Sequence, residues 1–110
     1  MKTGIIQLIV AIGMIAAVPA NAEDTSAEDT SAGETLYQKD CRSCHGPTAK
    51  GMASFPKLAG QSAEYLSDRL ERYRAGEKIG ANSALMIPRA AELSDDDIAN
   101  LAAYIATAFE

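Results

Sequence analysis

Apolar positions recur at helical spacing in three segments, and nowhere do apolar and polar residues alternate over a length that would make a strand. The clearest segment starts at Ser94, a predicted N-cap. Asp95, Asp96 and Asp97 follow in the electropositive first turn, and Leu93 and Ile98 are spaced for a hydrophobic staple. Ile98, Leu101, Ala102, Ile105 and Phe109 continue it as an apolar stripe expected to face the core. A second helix is predicted from Ser62, again an N-cap, with Leu66, Leu70 and Tyr73 on one face and a stop at Gly76. Its other face carries Glu64, Asp68, Arg69 and Arg72, read as a solvated, ion-paired surface. A short third segment, from about Gly33 to Asp40, carries Leu36 and Tyr37. Helices this short are held by packing rather than by propensity. The pattern predicts an all-α domain with three main helices.

Between these helices Gly46, Pro47, Gly51, Pro56, Gly60, Gly80 and Pro88 punctuate long irregular segments. Such loops are uncommon in a bare small domain and are expected where a chain wraps a prosthetic group.

The N-terminus has a different pattern. Lys2 precedes an uncharged, mainly apolar run from Gly4 to Val18, then Pro19 and Ala20-Asn21-Ala22. The run is shorter than the roughly 20 residues that span a bilayer, so residues 1–22 are expected to be a signal peptide cleaved after about Ala22, which implies export to the periplasm without stable membrane insertion. Residues 23–32 contain two copies of an acidic Glu-Asp-Thr-Ser-Ala unit and are read as a flexible leader. Residues 33–110 are then the folded domain.

The 110-residue chain has a formal charge of −5, which becomes −6 once Lys2 is removed; a nucleic-acid partner is therefore not expected. Within 33–110 nine basic residues face eleven acidic ones, so the acidity lies mostly in the leader. A domain of this size has a marginal apolar core, and a covalent staple or cofactor is expected to complete it.

Cys41-Arg42-Ser43-Cys44-His45 has the CxxCH spacing of c-type haem attachment. Two intervening residues let one turn of backbone present both sulfurs to one edge of a porphyrin, while the next residue offers an imidazole to the iron. A thioredoxin-like dithiol needs a βαβ context, a structural zinc site needs four ligands, and a plain disulfide leaves His45 unexplained. His45 is the only histidine, so the opposite axial position falls to methionine, lysine, an amine, water or nothing. Met52 and Met86 remain after signal removal. Spacing leaves both open and favours Met86, which is separated from His45 by a whole helix and followed by Pro88.

These residues resemble the class I cytochromes c across nearly all of 33–110, and the resemblance is not confined to the haem motif. Gly33, Tyr37, Leu101 and Tyr104 look like that family's crossing of N- and C-terminal helices. Pro56-Lys-Leu-Ala-Gly-Gln61 with Tyr65-Leu66 is similar to bacterial periplasmic relatives, notably the haem domains of two-haem cytochromes and the cytochrome subunit of flavocytochrome c sulfide dehydrogenase. The resemblance implies a class I fold around one covalent haem c, with Cys41 and Cys44 as thioethers and His45 and Met86 as iron ligands. It also implies that the Pro56 carbonyl accepts a hydrogen bond from His45, raising its basicity. Two-haem relatives carry two CxxCH motifs; this sequence has one.

The expected function is one-electron transfer, with no catalysis of its own. Methionine ligation and burial raise the potential relative to bis-histidine ligation. Expected partners are a dehydrogenase or flavoprotein donor and a terminal oxidase or other cytochrome as acceptor. Lys50, Lys57 and Arg89 are candidates for steering an acidic partner. The alternatives are a cytochrome subunit of a larger dehydrogenase, such as flavocytochrome c sulfide dehydrogenase, and then a haem sensor or peroxidase-like enzyme with an open iron.

Overall fold

The structure, a computed structural model, describes Gly13 and residues 28–110. The predicted signal peptide and residues 23–27 of the leader lie outside the described residues, Gly13 apart. Helix α1 spans Thr30–Leu36, a π-helical turn spans Tyr37–Cys41, and α2 spans Arg42–His45. After a long loop come α3 (Ala63–Arg74), α4 (Ser83–Ala90) and α5 (Asp95–Ala108). The only extended pairing among the described residues is one isolated bridge between Met52 and Phe55.

Local chemistry sets the ends of α3 and α5. The Ser62 hydroxyl accepts from Tyr65 N–H, and α3 stops before Gly76 at φ +85°. At α5 Ser94 and Asp97 form a reciprocal capping box, with both bonds at 3.0 Å. Ile98, Leu101, Ala102 and Ile105 are buried along its stripe, while Phe109 lies just past the last helical residue. Its carbonyl accepts from Gly60 N–H at 2.8 Å, which ties the C-terminus to the central loop.

Two boundaries differ from the sequence expectation. Helix α1 begins at Thr30, so residues 30–32 of the expected leader are helical. Asp29 caps it by accepting from Ala32 N–H, and its own N–H donates to Asn100 Oδ1 of α5 at 2.7 Å. The polar residues of this first turn carry no apolar signal, so only the contact with α5 reveals it. The second difference is α4, which occupies a segment expected to be irregular. Pro88 lies inside it and removes the usual donor to the Ala84 carbonyl. Packing against α3 and the buried Ser83 and Ala90 hold the helix nonetheless. The Ser83 hydroxyl accepts from the backbone N–H of Ile79 and Gly80, fixing the turn that enters it.

The principal helix contact is α1 across α5. Gly33 is the point of closest approach: a Cβ there would lie 2.7 Å from the Asn100 carbonyl carbon and 2.8 Å from Tyr104 Cβ. Below the crossing Tyr37, Tyr104 and Phe109 form a triangle of rings with centroids 5.2 to 5.8 Å apart. The buried cluster also includes Ala49, Ala59, Leu66, Leu101, Ala102 and Ile105. Several of these are alanines, so the protein side chains alone make a thin core.

Candidate functional site

The chemistry-bearing residues lie where α2 turns into the central loop. Cys41 ends the π-helical turn, Cys44 sits in the following helical turn, and His45 is the last residue of α2. Gly46 breaks the helix at φ +92°, a conformation that suits glycine. The two cysteines are not joined to each other, and both are half-buried. Burial pushes the Cys41 thiol up to about 12, because the charged form is poorly solvated there.

His45 is 5 % exposed, and its Nδ1 lies 2.9 Å from the Pro56 carbonyl oxygen. A carbonyl can only accept, so Nδ1 carries the proton and Nε2 presents a lone pair. Nε2 makes no hydrogen bond to any described residue. An imidazole whose Nδ1–H is held by a backbone oxygen is oriented to offer Nε2 to a metal. Among the described residues no three His, Cys, Asp or Glu side chains converge on one point, so side chains of those types do not complete a metal site by themselves. The residues fit a group that brings its own equatorial ligands and accepts two sulfurs.

The loop that returns to Pro56 is tightly specified. Gly51 N–H donates to the His45 carbonyl at 2.8 Å, and Leu58 and Ala59 N–H both donate to the Ala49 carbonyl. Ala49 is fully buried at φ +57° and Ala53 lies at φ +49°, each at a cost of order 1 kcal/mol or more that the surrounding bonds offset. Gly51, at φ +76°, allows the chain to pass the Pro56 segment: a Cβ would lie 2.9 Å from the Pro56 carbonyl carbon and 3.0 Å from Lys57 N. In the sequence Gly51 is one of several glycines and prolines that punctuate the loop. Its role in bringing Pro56 to His45 is visible only in three dimensions.

Met86 is half-buried on the fourth residue of α4, and Met52, 45 % exposed, lies in the central loop. The two segments meet where Asn82 Nδ2 donates to the Ser54 carbonyl and hydroxyl at 3.1 and 3.0 Å. Lys50, Lys57 and Arg89 are all exposed. A cavity of about 220 Å³ between α1, the π-helical turn, α4 and α5 is lined by Leu36, Lys39, Asp40, Arg89, Glu92, Leu93 and Asp97. Five of those seven side chains are charged, and neither Cys44, His45 nor Met86 lines it. The predicted ion-paired face of α3 is present: Arg72 binds Glu77 and Asp68, and Arg69 lies 5.1 Å from the Tyr65 ring centroid.

The cytochrome c family profile matches residues 30–109. Cytochrome c-554(547) of Halothiobacillus neapolitanus is 45 % identical over 83 residues, which cover 68 % of this chain and 91 % of that protein. A thiosulfate dehydrogenase electron acceptor from Stutzerimonas stutzeri is 44 % identical over 68 residues, 61 % of this chain and 32 % of that one. Among solved structures, reduced recombinant cytochrome c4 from Pseudomonas stutzeri superposes with a TM-score of 0.63 at 33 % identity, covering 74 % of this chain. The match spans 48 % of the cytochrome c4 chain, about half its length. With its helical architecture, its Cys41-x-x-Cys44-His45 turn and this profile match together, the chain belongs to the cytochrome c family, as a class I electron carrier that binds covalent c-type haem.

Proposed function

We propose that the chain is a periplasmic one-electron carrier in which Cys41 and Cys44 bond the haem and His45 and Met86 hold its iron. The observation that carries this reading is the His45 imidazole, protonated at Nδ1 by its bond to Pro56 and open at Nε2. Once bound, the haem iron supplies a one-electron couple. The Pro56 carbonyl orients the imidazole and makes it a stronger donor. Met86, on α4, offers a neutral thioether, which favours the reduced state, as does an apolar surround. Held by both His45 and Met86, the iron would rearrange little on electron transfer and would offer no open position for oxygen chemistry. No helix among the described residues is long and apolar enough to cross a membrane, and the N-terminal pattern supports export with cleavage after about Ala22.

The test is the weak near-infrared band of sulfur-ligated ferric haem. It is expected in the wild type and in Met52→Ala and lost in Met86→Ala; its loss only in Met52→Ala would transfer the ligand role to Met52.

A second reading is favoured by the 44 % identity to the thiosulfate dehydrogenase electron acceptor: the chain serves as the electron-accepting partner of a dehydrogenase of inorganic sulfur compounds. Co-purification from the native organism decides between them. A dehydrogenase that remains bound through gel filtration supports the subunit, and a free haem protein supports the shuttle.

A further inference from the structure

Tyr37 is fully buried, and for packing alone phenylalanine would fill the same space without a polar atom to satisfy. Its hydroxyl donates to the carbonyl of Gly46, the residue directly after His45, at 2.5 Å. Its own carbonyl accepts the N–H of Arg42 across the π-helical turn. One residue therefore grips the cysteine-histidine turn at both ends, at positions 42 and 46. Single π-turns of this kind are frequent at functional sites.

The ring that carries this hydroxyl is itself fixed. Tyr104 and Phe109 flank it at 5.8 and 5.2 Å between centroids, and the Phe109 carbonyl is tied to Gly60. The hydroxyl is thus referenced to the α1–α5 crossing. Burial pushes its pKa up to about 12, so it remains a donor throughout the physiological range. One peptide earlier, Gly51 N–H holds the His45 carbonyl, and Pro56 holds the ring. Without the hydroxyl, the Gly46 carbonyl retains only a long 3.3 Å bond from Ala49 N–H.

We propose that the Tyr37 hydroxyl is a positioning group for the iron ligand: by pinning the Gly46 carbonyl to the helix crossing it sets the orientation of the His45 imidazole and the strength of its bond to Pro56. The inference rests on the reading of His45 as the iron ligand. Loosening the Gly46–Pro47 peptide, directly after His45, weakens the Nδ1–H···O bond, makes the imidazole a poorer donor, and stabilises ferric iron less.

The experiment compares wild type, Tyr37→Phe and Tyr104→Phe as holoproteins. Electron paramagnetic resonance of the ferric state reports ligand orientation, and titration against a reference couple reports the redox balance. Tyr37→Phe is expected to stay low-spin, to show shifted g values, and to lower the oxidised-to-reduced ratio at fixed poise about threefold, in keeping with the loss of one hydrogen bond. Tyr104→Phe removes a phenol from the same ring cluster and is expected to change neither readout. If Tyr37→Phe does not accumulate with haem, 3-fluorotyrosine placed at position 37, a stronger donor, must move both readouts the opposite way. Wild-type g values and ratio in either Tyr37 variant, even with a lower denaturation midpoint, would overturn the proposal and leave Tyr37 a packing residue. A wild-type spectrum without histidine ligation would instead overturn the reading of His45 on which it rests.

Discussion

Gly33→Ala isolates the contribution of the helix crossing. Alanine in a helix interior is favoured over glycine by about 1 kcal/mol, so local propensity alone predicts a more stable protein. The crossing predicts the reverse. The added methyl would sit 2.7 Å from the Asn100 carbonyl carbon and 2.8 Å from Tyr104 Cβ, and closer still to the Asn100 carbonyl oxygen. Ordinary contact requires about 3.5–4.0 Å, so α1 must move away from α5 by about 1 Å. No rotamer change relieves this, because the nearest obstacles are backbone and Cβ atoms. Overpacking of this kind costs about 1–3 kcal/mol, and the displacement also loosens the contacts of Tyr37 with Tyr104 and Phe109. We expect a net loss of about 2 kcal/mol. With a guanidinium slope of about 3 kcal/mol/M for a domain of this size, the midpoint of the ferric holoprotein should fall by about 0.7 M. Gly80→Ala is the control: its Cβ meets nothing within 4 Å and its φ is not positive. It should be neutral or gain up to about 1 kcal/mol. A Gly33→Ala protein as stable as the wild type would refute the close-crossing argument.

Other substitutions probe the remaining supports. Ser94→Ala removes one half of the capping box and should cost about 1 kcal/mol in chemical denaturation, with the haem spectrum unchanged. Gly51→Ala forces a methyl into the Pro56 segment at φ +76° and should cost about 2–4 kcal/mol; unlike Ser94→Ala, it should also perturb the ferric spectrum, because Pro56 bonds His45. For Glu77, the Arg72 guanidinium holds the carboxyl below the usual carboxylate range. Its contribution is therefore present above the unfolded-state value of about 4.3 and disappears as pH falls through the lowered folded value. Glu77→Gln should melt slightly below the wild type at pH 7, and the two curves should converge on acidification; a gap that widens toward low pH would contradict the ion-pair assignment.

The elements that could be read from the sequence are those whose causes are local. Ser94 with three acidic residues and a regular stripe identifies α5, and Ser62 with Gly76 brackets α3, because caps and periodicity act within one turn. Helix α4 escaped because Ala84-Leu85-Met86-Ile87 is apolar on every face, Pro88 argues against a helix, and the compensating contacts come from α3 and from Ser83. The start of α1 escaped for a similar reason, since Asp29 is anchored by Asn100, 71 residues away. At the site, fixed spacing made Cys41, Cys44 and His45 legible, whereas Pro56 was reached only through family resemblance. The Tyr37–Gly46 bond and the need for glycine at position 51 arise from loop closure, which no short motif encodes.

The central proposal is that His45 and Met86 would together hold the haem iron. Its most direct test is the absorption spectrum of the purified mature protein, ferric and then reduced, before and after carbon monoxide. A low-spin c-type spectrum is expected, with the near-infrared sulfur band in the ferric form and no change on adding the gas. A high-spin spectrum, or ready formation of a carbon monoxide adduct, would contradict it and point to sensing or catalysis at an open iron.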